Sequence, residues 1–285
     1  MEAREMEQTE LRNLQLNGLY LLKTLDAICK KYNIQYFALY GTALGAIRHN
    51  GFIPWDDDID VGMIRHEYER LLAVPREEWG DCYLSDPADN DPAHDKIFPR
   101  VYLRGTKIIT KEWLSRSRRC CITEENVLPI WLDIFVFDQV SSEDLFDKNY
   151  TISNRYRRRY FYSKFPVRFS AEKNMRHKLL FIYSLYFRYF SSPKKIYEEW
   201  KRKINSTGKY LGSYGPWEYN EGKATFFEED KLFPLVTCKF EDITIYMVKN
   251  YDEMLKKMYG EYMQLPPVEK RKHYEIISLV YREFN

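Results

Sequence analysis

Disulfide chemistry has little to work with in this sequence. Its 285 residues include five cysteines, Cys29, Cys82, Cys120, Cys121 and Cys238. The number is odd, no Cys-x-x-Cys pair occurs and two of the five are sequence neighbours, so neither a disulfide framework nor a zinc knuckle follows, and a reducing cytoplasm fits best. Long apolar runs are also missing: none reaches the roughly 20 residues that a bilayer-spanning helix needs, and the charged segment from Met1 to Glu10 has no apolar signal core. Export and membrane spanning are therefore disfavoured. Repeats and low-complexity tracts are absent. The formal net charge is only +2, which removes bulk electrostatic attraction to nucleic acid as a function.

The chain is long enough for one large domain or two small ones with an ample core. Aromatic residues are abundant at 16%, with 24 Tyr and 17 Phe, an excess that suits rings lining grooves or a membrane interface. Charge is uneven. Between Arg155 and Lys178 the bases are opposed only by Glu172, so an anionic surface would meet this face, unless the run is simply solvated.

A leucine stripe through Leu11, Leu14, Leu22, Leu25 and Cys29 predicts an amphipathic helix from about Thr9 to Lys31, ended by Asn33. Tyr36 to Tyr40 reads as a short buried strand leading into a small-residue turn, Gly41 to Gly45, and then a short helix carrying Arg48 and His49. Asp58 to Met63, Phe98 to Leu103 and Ile130 to Phe137 are further predicted strands, and Glu67 to Ala73 is a predicted helix. From Asp144 to Ile204 mostly helix is expected. Within it, Leu179 to Phe190 is almost wholly apolar or aromatic but too short to cross a bilayer; it either lies in a headgroup region or is buried. Gly208, Gly212, Gly215 and Gly222 predict a loop, and Phe240 to Val248 with Tyr251 to Tyr259 a strand and a closing helix.

Chemistry concentrates in Trp55-Asp56-Asp57-Asp58-Ile59-Asp60-Val61. Four carboxylates within five positions repel one another unless cations or solvent absorb the charge. On a strand, Asp56, Asp58 and Asp60 share a face at about 6.6 Å per two residues, and Asp57 points away. Neighbouring carboxylates can then converge on one cation, or bridge two cations about 3.5–4 Å apart, as phosphoryl transfer requires. The donors are all oxygens, which favours Mg²⁺ or Mn²⁺ over zinc. Upstream, the Gly41-Thr42 turn offers backbone N–H groups and a hydroxyl to phosphate oxygens. Asp133 is a lone carboxylate in an apolar strand, explained as a further metal ligand, as a general base or by pairing with an arginine. Asp138, at the strand exit, reads as structural.

The run Tyr40-Gly41-Thr42-Ala43-Leu44-Gly45-Ala46-Ile47-Arg48-His49, followed by Gly51-Phe52-Ile53-Pro54-Trp55-Asp56-Asp57-Asp58-Ile59-Asp60-Val61-Gly62-Met63, closely resembles the LicD family. The likeness continues through Trp131 to Phe135 and through Tyr259 to Pro267 with Lys270-Arg271. It is weak between about 140 and 205. His273 is followed by Tyr274, which departs from the family pattern, so no catalytic role is assigned to it.

The resemblance implies an α+β fold, a nucleotidyltransferase-like mixed β-sheet flanked by helices with a helical insertion: a catalytic core at 1–140, the insertion at 141–205 and a completing part at 206–285. It implies Asp58, Asp60 and Asp133 as catalytic residues and metal ligands, with Gly41 and Thr42 in the substrate-binding turn; the residues themselves add Asp56 to the metal set, Arg48 and His49 as substrate contacts and Arg271 as a candidate phosphate contact. The implied reaction moves phosphocholine, or another alcohol phosphate such as glycerol or ribitol phosphate, from CDP-choline or a related CDP-alcohol to a lipid-linked, cell-surface glycan precursor. The expected place is the cytoplasm, at the inner face of an anionic membrane. The rival from another class is a non-catalytic glycan or membrane-surface binding protein that keeps the fold.

Overall fold

A computed structural model describes residues 8–170, 173–215, 223, 225–271 and 275–284. Helix α1, Gln8–Tyr32, follows from the leucine stripe, which is buried along its length. Glu10 in its first turn and Lys30 and Lys31 in its last complement the helix dipole. It stops where Asn33 adopts a left-handed φ of 52°, a conformation asparagine tolerates better than most residues.

The chain then enters a mixed sheet. Strand β1 (Phe37–Ala38) leads to helix α2 (Tyr40–His49), strand β2 (Asp60–Ile64) and helix α3 (Arg65–Leu72). Strands β3 (Cys82–Ser85) and β4 (Arg100–Leu103) follow, then β5 (Lys107–Thr110), helix α4 (Lys111–Arg119) and β6 (Trp131–Val140). The order across the sheet is β1-β2-β6-β4-β3. β6 is central because nine of its ten residues are buried, the pattern of a strand covered on both faces. It runs parallel to β2 and antiparallel to β4. One register matters for everything below: Asp60 pairs with Asp133, and Asp133 pairs with Arg100. Paired residues of adjacent strands share a face, so the three side chains form a row across the sheet.

Helices α5 (Glu143–Lys164), α6 (Met175–Phe190) and α7 (Pro193–Ile204) come next. α5 and α7 share a core of Phe146, Tyr150, Tyr160, Ile196, Trp200 and their neighbours, with Trp200 Nε1 donating to Ser153 Oγ at 2.8 Å. Strand β7 (Tyr210–Ser213) returns to pair with the far half of β6 and with β8 (Phe227–Glu228). The hairpin of β9 (Val236–Phe240) and β10 (Ile243–Met247) precedes the helix Tyr251–Tyr259, and β11 (Ile276–Val280) pairs with β5. The class is α+β, as expected.

Several local readings change. Gly41 to Gly45 is not a turn but the first half of α2; two glycines in a ten-residue helix lower its propensity, yet packing overrides it, since a Cβ at Gly45 would lie 2.4 Å from the Gly51 carbonyl oxygen. The stretch holding Gly208, Gly212 and Gly215 contains strand β7, because its backbone groups complete the β6 ladder; Gly222 lies outside the described residues. The expected single strand over Phe240 to Val248 is half of a hairpin.

Candidate active site

Asp60 opens β2, but Asp56, Asp57 and Asp58 precede it in irregular backbone, so the strand geometry inferred for them does not apply. Tertiary hydrogen bonds hold the segment instead: Gln15 Nε2 donates to the carbonyls of Asp56 at 2.9 Å and Ile53 at 3.3 Å. Asp57 consequently does not point away. Single carboxylate oxygens of Asp56, Asp57 and Asp58 all lie within 4.8 Å of one another.

Burial, reinforced by the charge of Asp57, pushes the Asp56 carboxyl up to about 7. Asp58 is held well above the usual carboxylate range by burial, then by the charges of Asp56 and Asp133, with Arg100 opposing. These acids resist ionising together without a counter-charge, which is the behaviour expected of a set built for a hard cation. The backbone agrees: a Cβ at Gly41 would come within 2.4 Å of Asp56 Oδ2, so residue 41 is kept bare to admit that carboxylate. The donor set fits Mg²⁺ or Mn²⁺.

Asp133 stands beside Asp60 on the next strand. Its Oδ1 accepts from Arg100 Nε at 2.5 Å and its Oδ2 from Trp131 Nε1 at 3.3 Å. Arg100 continues to Asp95 at 2.9 Å, and Asp95 to Arg116 on α4 at 2.9 Å, giving an alternating chain Asp133–Arg100–Asp95–Arg116. Burial alone would keep Asp95 protonated; the charges of Lys96, Arg100 and Arg116 overcome that and hold its carboxyl below the usual range. Lys96, beside it, is lowered by burial first, with Asp95 and Asp133 opposing and the two arginines adding to the effect.

These groups face a cavity of about 760 Å³, lined by Asp56, Asp58, Asp60 and Asp133, by Lys96, Arg100 and Arg48, and by the rings of Tyr40, Trp55, Phe98, Phe135, Tyr259 and Tyr262. The size is that of a typical small-ligand site. Tyr40 starts α2 with φ of 45°, a conformation that costs an L-residue about 1–2 kcal/mol. Its ring meets Phe135 edge-on at 5.1 Å, and Phe98 stacks on Phe135 at 5.0 Å. Arg48 Nη1 donates to the Tyr262 carbonyl at 2.7 Å, tying the segment 259–267 over the opening.

The remaining predicted contacts fall elsewhere. Thr42 is buried and its Oγ1 accepts from the Asp60 amide at 2.9 Å, so it fixes the start of β2 rather than facing the cavity. His49 accepts from Arg48 Nε at 2.9 Å and is lowered by burial and then by that arginine; it lies outside the lining, as does Arg271, whose guanidinium sits 4.8 Å from the Trp55 ring centre. Asp138 makes a two-point pair with Arg65 at 2.8 and 2.9 Å, a structural role. His273 lies outside the described residues. Lys96, Arg100 and the lining rings went unread. The signal was present for Arg100: a cation inside the predicted strand Phe98 to Leu103 needs a buried partner as much as Asp133 does.

Residues 33–142 match the family described as LicD/FKTN/FKRP, nucleotidyltransferase domain. The chain carries a LicD-family domain. Over 278 residues, 95% of this chain and 98% of the relative, it is 29% identical to the lipopolysaccharide cholinephosphotransferase LicD of Haemophilus influenzae. It is 24% identical to the ribitol 5-phosphate transferase FKRP of Mus musculus over 136 residues, 42% of this chain and 26% of that protein. An uncharacterized protein of Rickettsia prowazekii shares 51% identity over 54 residues, 19% of this chain and 20% of its own. The LicD-family domain thus spans α2, the aspartate segment and Asp133 together.

Proposed function

We propose that this protein is a metal-dependent phosphotransferase that moves phosphocholine from CDP-choline to a hydroxyl of a cell-surface glycan precursor, releasing CMP. The observation that carries the reading is the single cavity in which the acidic segment, Asp133 and a wall of aromatic rings meet, in a chain similar along almost its whole length to a cholinephosphotransferase.

The residues divide the work by charge. Asp56, Asp58 and Asp60, with Asp133 beside them, would hold Mg²⁺ or Mn²⁺, which when bound supplies the positive charge that binds a pyrophosphate. Lys96 and Arg48, with the N-terminal end of α2 at Tyr40 and Gly41, hold phosphate oxygens as charge shifts toward the leaving group. Asp133 has its two carboxylate oxygens engaged by the Arg100 guanidinium and the Trp131 indole N–H, so it fixes charge beside Asp60. The Thr42 hydroxyl sets the backbone from which Asp60 projects. Tyr40, Phe98 and Phe135 offer ring faces to a quaternary ammonium. The acceptor oxygen attacks the distal phosphorus in line, the bond to CMP breaks, the hydroxyl proton passes to the carboxylate cluster and a phosphodiester results.

The similarity to the ribitol 5-phosphate transferase favours a second reading, transfer of another alcohol phosphate from a CDP donor by the same site. Incubation with Mg²⁺, acceptor glycan and a panel of CDP-choline, CDP-glycerol and CDP-ribitol, with CMP release as readout, decides between them. CMP from CDP-choline alone supports the first. Release from no donor, with the protein folded and metal bound, rejects both and leaves a binding protein.

A further inference from the structure

Helix α6 is turned inside out. Met175, Leu179, Ile182, Tyr186 and Tyr189 follow one another at three- and four-residue steps, so they form one stripe, and each is between 57% and 75% exposed. Phe190 and the nearby Phe169 are exposed as well. Ser184 is the only buried residue of the helix, its Oγ accepting from the Val167 amide at 2.9 Å, and its inward face meets a small cluster around Phe165 and Val167 through Phe181 and the α5–α7 core through Phe187. An apolar stripe this large is costly in water unless something covers it.

Charge identifies the cover. From Arg155 to Phe190 the sequence has ten Arg and Lys and one Glu. Next to Leu180 a cavity of about 240 Å³ is lined by apolar residues including Phe161 and Val167 and by the basic groups Arg119, Arg158 and His177. A second copy of this chain docking face to face would bring the same positive field against itself, which disfavours a symmetric dimer. An anionic bilayer answers both features: acyl chains for the stripe, phosphates for the guanidinium groups, and a depth at which Tyr rings are favoured. At 16 residues, about 24 Å, α6 is too short to cross a bilayer, and no described helix is long and apolar enough to do so.

We propose that α6 lies in the interface of an anionic phospholipid membrane, its stripe immersed and the surrounding arginines on the headgroups. This holds whatever reaction the aspartates perform. The test is co-sedimentation of the full chain with vesicles of equal parts phosphatidylglycerol and phosphatidylcholine, against phosphatidylcholine alone. Partitioning to the anionic vesicles is expected to be at least about tenfold stronger and to fall with added salt. A Leu179→Ser, Ile182→Ser, Tyr186→Ser variant is expected to lose about 100-fold in partitioning, with its circular dichroism and its CMP release on a soluble acceptor unchanged. Arg158→Gln with Arg176→Gln is expected to lose about tenfold, on anionic vesicles only. Equal binding to both vesicle types, wild-type binding by the triple variant, or no vesicle binding together with a dimer in sedimentation velocity that the triple variant abolishes, would each overturn the proposal.

Discussion

Two regions of this molecule are rich in aromatic rings, and what separates them is the charge set beside the rings. In the cavity, Tyr40, Phe98 and Phe135 pack on one another next to Asp56, Asp58 and Asp133. On α6, Tyr186, Tyr189 and their neighbours stand in solvent next to arginines and lysines. A Tyr and Phe excess therefore predicts no ligand by itself. Carboxylates beside rings suit a cation and a quaternary ammonium; guanidiniums beside exposed rings suit an anionic surface.

The comparison breaks most sharply at the aspartates. An Asp58→Asn, Asp60→Asn double variant should lose CMP release by about 10³-fold or more, since it removes the carboxylates that would hold the cation, and should stay folded by circular dichroism. Unchanged turnover would make the cavity as passive as any surface groove. Arg100→Met comes next. It leaves Asp133 and Asp95 short of a buried partner, and removing one member of such a pair costs about 3–5 kcal/mol, read as a fall in thermal midpoint on a scale of 10 °C.

The pH dependence sharpens the contrast further, because the cavity, unlike α6, contains carboxyls raised by burial. Asp56 titrates near 7 in the folded chain and near 3.9 unfolded. The folded state thus binds the extra proton between those values, and stability present at low pH is lost as pH rises from about 4 to about 7. In chelator-treated protein, Asp56→Asn should flatten this loss and raise the midpoint at pH 8 by about 2–4 °C; added Mg²⁺ should stabilise the wild type and do less for the variant. The smallest effect is expected at Thr42→Val, which leaves the buried Asp60 amide without its acceptor. Stability should drop by about 1–2 kcal/mol in denaturant titration, with reduced turnover, while vesicle binding by α6 stays as it was.

Sequence reasoning reached the parts fixed by local pattern. The α1 stripe, the buried β6 and the density of aspartates were all visible, because periodicity and mutual repulsion can be read along the chain. What it missed was set by partners distant in sequence. Alternation made Asp56 to Asp60 look like a strand, whereas Gln15 holds Ile53 and Asp56 in an irregular path. Gly41 looked like a phosphate-binding turn, and its bareness instead makes room for the Asp56 carboxylate. Lys96 and Arg100 sit beside a loop of Asp and Pro residues that offers no period to follow. The apolar run of α6 was legible as composition. That its stripe faces outward depends on how little of the chain packs against it.

The bond from Arg48 to the Tyr262 carbonyl also has a consequence for biogenesis. Tyr259 to Pro267 roofs a chamber whose floor was synthesised some two hundred residues earlier. A nascent chain can therefore bring its aspartates together long before the chamber above them is closed, and closure waits until this late segment folds back. Proteolytic nicking between 248 and 259 should silence CMP release while sparing the sheet.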